Sequence, residues 1–257
     1  MRRLPFAVLF FAPLAAMAGT PCEYQAPRHL QLDLTGVRGV QIEVNSHTLH
    51  VRGGDAKGLT LDGRACASDA ASLASLQVTH RREGDQLILD MGGDSGAVVH
   101  RIGGVYRDLE ATVQLPANLP LRLDVGSGDA DAQDLGQLRG SVGSGDLRAS
   151  RIAGVFDASV GSGDIDASDI GRLNLGSVGS GDVRAKAIKG DVRIGSIGSG
   201  DVSLDQVGGS VRADTLGSGD LKVRDVAGDF TLGAKGSGDV DHRGVKGRID
   251  VPHSDDD

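Results

Sequence analysis

A serine hydroxyl and an aspartate carboxylate recur side by side in this chain, within the tetrapeptide Gly-Ser-Gly-Asp. The tetrapeptide occurs seven times at nearly even intervals, beginning at Gly126, Gly143, Gly161, Gly179, Gly198, Gly217 and Gly236. A serine beside a carboxylate could contribute to a nucleophilic site, and a column of carboxylates could coordinate a row of calcium ions. Because a catalytic site is unique whereas this group is copied seven times, the repetition favours a structural role.

The motif aspartates would form a column of like charges, which some interaction must offset. Nonapeptide β-rolls offset such a column with calcium, but they carry acids in both halves of a coil, and calcium needs six or more oxygen ligands. Here the second half often lacks the acid, as at 154–155 and 171–172. We therefore predict turn chemistry, without metal or cofactor. The calcium candidates are Asp146, Asp164, Asp182, Asp201 and Asp220.

The predicted structural turn is represented by Gly179, Ser180, Gly181 and Asp182. In such turns a glycine often has a positive φ, and an aspartate accepts a hydrogen bond from a nearby backbone N–H. We expect at least one of these two glycines at positive φ. We also expect the Asp182 carboxylate to accept its hydrogen bond within the same turn.

Other residue patterns of catalysis are missing from the sequence. The seven histidines include no His-Glu-x-x-His pair, and no histidine accompanies the repeated serines. The tetrapeptide is not followed by Gly-Lys-Thr or by a predicted helix, so it is not a phosphate-binding loop. We predict that the protein is not an enzyme.

The segments between the motifs repeat the pattern apolar-x-apolar-x-x-apolar twice in each coil. After the fourth motif the two halves are Val183, Ala185, Ile188 and then Val192, Ile194, Ile197. Apolar positions two apart give a strand one inward face, and recurring glycines disfavour a helix. The pattern predicts an all-β fold, a single-stranded parallel β-helix or solenoid of about seven coils of 17–19 residues.

The outward positions test this stacking independently. Two residues after each motif aspartate stand Asp131, Arg148, Asp166, Arg184, Ser203, Lys222 and Asp241. No like charges are neighbours in this series. That is the expected arrangement if these side chains lie side by side on adjacent strands.

The composition excludes several protein classes. Glycine supplies 40 of 257 residues, but there is no Gly-X-Y period and there are only 7 prolines, so the chain is not collagen-like. The net charge of -8 argues against a nucleic-acid partner. Aromatic residues make up 3%, which is few for a protein that binds sugars by ring stacking.

The segment 1–18 has the pattern of a signal peptide. Two arginines precede an apolar run at 4–15, and positions 16–18 read Ala-Met-Ala, an A-x-A cleavage site. The run is too short to span a bilayer, and no later stretch approaches about 20 apolar residues, so we expect no membrane span in the mature chain. Export to the periplasm, the cell surface or the medium would permit a disulfide between the two cysteines, Cys22 and Cys66.

Composition and repeat divide the chain into four predicted regions. They are the signal peptide at 1–18, a strand-rich cap or set of leading coils at 19–118, the repeat solenoid at 119–251 and an acidic tail at 252–257. A solenoid needs caps because its terminal coils otherwise expose unpaired strand edges. Within the cap, alternating apolar residues predict strands, and 68–76 predicts one short helix.

The entry into the repeats reads VQLPANLPLRLDVGSGD, from Val113 to Asp129. Together with the recurring Gly-Asp-apolar coils, it resembles the bacterial putative-adhesin β-solenoid family of unknown function, over about residues 30–251. The resemblance implies an exported β-solenoid, and it carries no established catalytic residues.

We interpret the chain as a non-enzymatic exported β-solenoid, an adhesin-like protein or envelope scaffold with a protein or polysaccharide partner. Two alternatives stay open. One is an envelope β-helix that binds or cleaves polysaccharide with its column of serines and aspartates. The other is a calcium-binding β-roll.

Overall fold

The computed structural model describes residues 22–92 and 106–252, so the predicted signal peptide and all but one residue of the predicted tail lie outside it. One short helix, α1 (Ala70–Ser75), lies among the strands that precede the repeats. These strands are β1 (Tyr24–Leu32), β2 (Gly39–Asn45), β3 (Thr48–Gly54), β4 (Leu59–Ala67), β5 (Val78–Glu83), β6 (Gln86–Met91) and β7 (Arg107–Pro116).

The repeats contribute two strands per coil, which in two coils are fused into one long strand. The strands are β8 (Leu121–Val125), β9 (Asp129–Leu135), β10 (Leu138–Val142), β11 (Asp146–Val160), β12 (Asp164–Val178), β13 (Val183–Ile188), β14 (Val192–Ile197), β15 (Val202–Val207), β16 (Val211–Leu216), β17 (Leu221–Val226), β18 (Phe230–Lys235), β19 (Val240–Arg243) and β20 (Ile249–Asp250).

Strand pairing places these elements in two parallel sheets. The first sheet runs β3, β9, the first half of β11, the first half of β12, β13, β15, β17 and β19. The second sheet runs β2, β8, β10, the second halves of β11 and β12, β14, β16, β18 and β20. The predicted all-β solenoid of about seven coils is confirmed.

The inward rows of the two sheets form one continuous hydrophobic core. Val183 and Val202 are 0% exposed and Ile188 is 1% exposed, as the apolar pattern predicts. Arg184 points outward and is exposed, whereas Lys222 is half-buried. Complete burial of a Val, Leu or Ile side chain contributes about 1.5–3 kcal/mol, so the stacked rows supply most of the stabilisation.

The strands before the repeats extend the same two sheets. β3 pairs in parallel with both β7 and β9, and β2 pairs in parallel with both β6 and β8. Beyond them the pairing becomes antiparallel, between β1 and β4, β4 and β7, and β5 and β6. These antiparallel strands close the N-terminal end of the solenoid. The predicted helix is present as α1, capped by the Asp69 carboxylate, which accepts from Ser72 N at 2.8 Å.

Each coil also contains one residue in the left-handed conformation, five positions after the motif aspartate. The non-glycine members have φ between 52° and 62° and are Asp134, Arg151, Asp169, Ala187, Gln206 and Asp225. Gly244, with φ 72°, holds the same position in the last coil. This conformation costs an L-residue roughly 1–2 kcal/mol, so each bend is formed against a local steric preference.

Replacing Ala187 by glycine is expected to raise the free energy of unfolding by about 1 kcal/mol. Glycine adopts a φ of 56° without alanine's steric cost. Urea unfolding followed by circular dichroism measures the effect. Ala185→Gly, two positions away in β13 and buried, is the matched control and should destabilise. A loss of stability in both variants would contradict the prediction.

Candidate binding site

The motif turns stack directly on one another at the corner where each coil returns from the second sheet to the first. Ser180 N donates to Gly161 O of the preceding coil at 2.8 Å, and Gly179 N donates to Val160 O at 2.9 Å. The expectation of a motif glycine at positive φ is wrong, since none of the motif glycines has one. Glycine is required for another reason: a Cβ on Gly181 would overlap the carbonyl oxygen of Gly163.

The motif aspartates connect neighbouring coils through their carboxylates. Asp182 N donates to Asp164 Oδ1 at 3.0 Å, and Asp201 N donates to Asp182 Oδ1 at 3.2 Å. Asp220 N continues the series by donating to Asp201 Oδ1 at 2.9 Å. The expectation that Asp182 accepts within its own turn is therefore wrong, because the turn of the next coil presents its N–H at hydrogen-bonding distance. Arg184, 2.9 Å from Asp182, offsets part of the like-charge repulsion.

A second series of the same kind lies at the opposite corner, where each coil passes from the first sheet to the second. Ser210 N donates to Asp191 Oδ1 at 3.0 Å, and Asp229 N donates to Ser210 Oγ at 3.0 Å. Arg248 N then donates to Asp229 Oδ1 at 2.7 Å. Sequence analysis missed this series, although an Asp or Ser recurs at the same position of three successive coils.

The calcium candidates Asp146, Asp164, Asp182, Asp201 and Asp220 stand in a single file along this corner. Three of them already use one carboxylate oxygen to accept a backbone hydrogen bond. Within residues 22–92 and 106–252, no three or more His, Cys, Asp or Glu side chains group closely enough to hold a metal ion. A calcium site at the motif would have to be assembled from these separated carboxylates.

Asp182→Ala is expected to lower the free energy of unfolding by about 1 kcal/mol, the usual net worth of one hydrogen bond. The alanine removes the acceptor for Asp201 N. Asp182→Asn keeps an acceptor oxygen at that position, so it should cost less than alanine. Chemical denaturation of both variants measures the difference, and equal losses would argue against the hydrogen bond between coils.

Cys22 and Cys66 are joined as a disulfide, with their Cα atoms 5.4 Å apart. Cys66 lies in β4 and is 3% exposed, whereas Cys22 precedes β1 and is half-buried. Because β1 and β4 are already antiparallel neighbours, the bond ties the start of the described chain to the closed end of the solenoid.

The outer face of the first sheet carries charges that balance one another. Asp131, Arg148, Asp166 and Arg184 occupy successive strands in direct register, so each cation lies next to an acid. These side chains line a groove of about 490 Å³ together with Ser150. The alternation predicted from the sequence is present, and it leaves this groove with little excess charge.

The outer face of the second sheet is less evenly balanced. One row of outward side chains consists of direct register partners on successive strands. In order, they are Arg122, Arg139, Asp157, Asn174, Arg193 and Arg212. A depression of about 450 Å³ lies over the middle of this row, and we call it the second-sheet hollow. Its polar lining consists chiefly of Arg139, Ser141, Asp157, Ser159, Asn174 and Arg193. Gly176, which has no side chain, also lines the hollow.

The groups in the hollow differ in how they are paired. Arg139 Nη2 lies 3.5 Å from Asp157 Oδ2, and Asn174 Nδ2 donates to Asp157 Oδ1 at 2.8 Å. Asn174 Oδ1 is buried and accepts no hydrogen bond among the described residues. Arg193 makes no ion pair in the described part of the chain, and its register neighbours are Asn174 and Arg212. Arg193 is therefore the least neutralised cation of the hollow.

Arg122, at the edge of the hollow, and Arg151, at a bend between the two sheets, each form an ion pair with a neighbouring aspartate. Arg122 shares its Nε–H between the two carboxylate oxygens of Asp124 and donates a further hydrogen bond from Nη2, at 2.9–3.1 Å, and this raises the pKa of Arg122 above its ordinary value. The hydrogen bond from Arg151 keeps the pKa of Asp134 below its ordinary value. Both arginines are exposed, so each pair contributes little to stability.

Among residues 22–92 and 106–252, no helix has the length and hydrophobicity needed to cross a lipid bilayer.

Sequence comparison identifies the class of protein that this architecture defines. The chain matches the family described as Toastrack DUF4097 over residues 37–256, and it belongs to that family. The predicted family resemblance is confirmed. No curated protein shows significant similarity to the chain.

Three bacterial proteins are among the solved structures to which this chain is similar. One from Clostridium sporogenes, described as a "putative cell adhesion protein", is 11% identical, with a TM-score of 0.34 and coverage of 88% of this chain and 98% of the other. A "putative lipid binding protein" from Parabacteroides distasonis is 14% identical (TM-score 0.41, coverage 88% and 97%). A "putative adhesin" from Bacteroides fragilis is 16% identical (TM-score 0.38, coverage 90% and 98%).

Proposed function

We propose that this protein is an exported, non-enzymatic binding protein of the cell envelope, and that the second-sheet hollow binds an acidic polysaccharide. The observation that carries the proposal is Arg193, an exposed cation whose strand neighbours are Asn174 and Arg212 rather than acids. Export rests on the signal-peptide pattern of the segment 1–18.

The lining of the hollow fits a ligand that carries both carboxylates and hydroxyls. The planar guanidinium groups of Arg139 and Arg193 can each donate two parallel hydrogen bonds to a carboxylate. Ser141 and Ser159 can donate or accept, and Asp157 accepts, so these side chains can bind sugar hydroxyls. Acidic sugars present both kinds of group on one residue.

The regular spacing of the strands favours an extended ligand over a compact one. Arg139 and Arg193 are three strand positions apart, which corresponds to about 14 Å at the usual strand separation. A chain of sugars running along the solenoid axis can contact both arginines at once. Because aromatic residues are scarce, charge and hydrogen bonding would replace ring stacking as the source of affinity.

Calorimetric titration of the mature chain with polygalacturonate, and with neutral dextran as the comparison, tests this function. We expect the polyuronate to bind, and the dissociation constant to rise with salt because ion pairs are screened. The double variant Arg139→Ala/Arg193→Ala should weaken binding roughly tenfold or more, since each removes a charged hydrogen bond.

The first sheet supplies the matched control. Arg148→Ala/Lys186→Ala removes two exposed cations from its groove and should leave the dissociation constant unchanged. Equal binding of dextran and polygalacturonate, or equal weakening by the two double variants, would contradict a site in the second-sheet hollow.

A further inference from the structure

Among the described residues, each sheet ends at the C-terminal side of the solenoid in a strand with an unpaired edge. β19 pairs only with β17, and β20 only with β18, so within the described residues their outer edges meet no strand. Ile249 is 43% exposed, and Val240 and Val245 are only partly buried. The N-terminal end differs, because antiparallel strands close it. An unpaired edge of this kind is a template for another strand.

The two terminal strands carry opposite charges on either side of a central residue. In the first sheet the order is Asp241, His242, Arg243, and in the second it is Arg248, Ile249, Asp250. If a second copy pairs antiparallel about His242, Asp241 of each copy faces Arg243 of the other. Pairing about Ile249 likewise brings Arg248 opposite Asp250 twice. Both edges are therefore self-complementary, and opposite charges facing each other stabilise a strand pair.

One two-fold axis can serve both edges. The ring of His242, in the first sheet, lies 5.9 Å from the ring of Phe230 in the second. Ile249 is the direct register partner of Phe230 on the adjacent strand. His242 and Ile249 therefore face each other across the end of the core. An axis normal to the sheets passes close to both.

At the C-terminal end of the first sheet, one copy of the chain leaves a positive charge without an acidic partner among the described residues. Arg243 lies next to Arg224 in register, and Arg224 makes the ion pair with Asp241, at 3.9 Å. In the described residues, Arg243 itself has no ion pair. An acid facing Arg243 from a second copy would offset this like-charge neighbour.

We propose that two copies of this chain join at their C-terminal ends, by antiparallel pairing of β19 with β19 and of β20 with β20. The result is a closed two-fold dimer with continuous sheets, in which both open edges are paired. The outer faces of the sheets, including the second-sheet hollow, stay exposed. The proposal is independent of the polysaccharide ligand.

Light scattering after size-exclusion chromatography of the full mature chain tests the dimer. We expect the wild-type chain to have twice the monomer mass. Arg243→Asp should give a monomer, because acids then face acids on the outer face of the first sheet. Asp241→Arg should do the same with cations. Asp241→Arg/Arg243→Asp should restore the dimer, and mixing the two single variants should yield a heterodimer.

Lys186→Asp, a charge reversal on the exposed face in the middle of the first sheet, is the control and should stay dimeric. Thermal melting of each variant separates loss of pairing from loss of folding. A monomeric wild-type chain at every concentration would overturn the proposal. So would a dimer that the two single reversals leave intact, or a folded double variant that stays monomeric.

Discussion

Gly181→Ala is expected to lower the free energy of unfolding by roughly 2–4 kcal/mol, a large effect for one added methyl group. The methyl carbon would overlap the carbonyl oxygen of Gly163, a backbone atom that moves only if two coils separate. The separation would also weaken the backbone hydrogen bond from Ser180 N to Gly161 O. Equilibrium unfolding in urea gives the change.

Ser180→Ala is the control for this substitution. Ser180 is exposed in the same turn, and its replacement should change stability by no more than about 0.5 kcal/mol. If Gly181→Ala and Ser180→Ala unfold at the same urea concentration, close approach of the coils is not the reason for glycine at this position.

Ile188→Asp is expected to abolish cooperative folding of the coils around it, with a loss of more than about 4 kcal/mol. Ile188 is 1% exposed, and its strand neighbours Ile170 and Val207 are equally enclosed. A carboxylate there would lie in an apolar row without a partner. Circular dichroism and the denaturation midpoint report the loss.

A milder substitution at the same site separates the cost of lost packing from the cost of a buried charge. Ile188→Val removes one methylene from the core and should cost about 0.5–1.5 kcal/mol. If the aspartate variant is no less stable than the valine variant, Ile188 does not lie in the core, and the inward register of β13 is incorrect.

The inward and outward rows could be predicted because strand geometry relates directly to sequence. Side chains alternate between the two faces of a strand, and a coil of nearly constant length brings equivalent residues into register. Val183 and Val202, for example, hold the same position in successive coils and are direct neighbours. Periodicity alone therefore fixes which residues meet.

The conformation of the turns could not be predicted in the same way. The left-handed position is occupied by Asp134, Arg151 and Ala187, residues that share no chemical property that reveals it. The donor to each aspartate carboxylate could not be predicted either, because the same turn and the next coil both offer a nearby N–H. Choosing between them requires the stacking distance, which the sequence does not contain.

The second-sheet hollow was missed although a signal for it exists. The register that aligns Asp131 with Arg148 in the first sheet also applies to the second half of each coil. Applied there, it aligns Arg139, Asp157, Asn174 and Arg193.

The stacking contacts between coils have a consequence for the length of the molecule. The hydrogen bond from Asp201 N to Asp182 Oδ1 is repeated from Asp220 N to Asp201 Oδ1, so each coil offers its successor the same surface. Deleting the segment 183–201, which is one complete coil, would join two surfaces that already fit each other. The rod would shorten by a single step of about 4.8 Å. Its length can thus change in whole steps, by loss or duplication of one short segment of the gene.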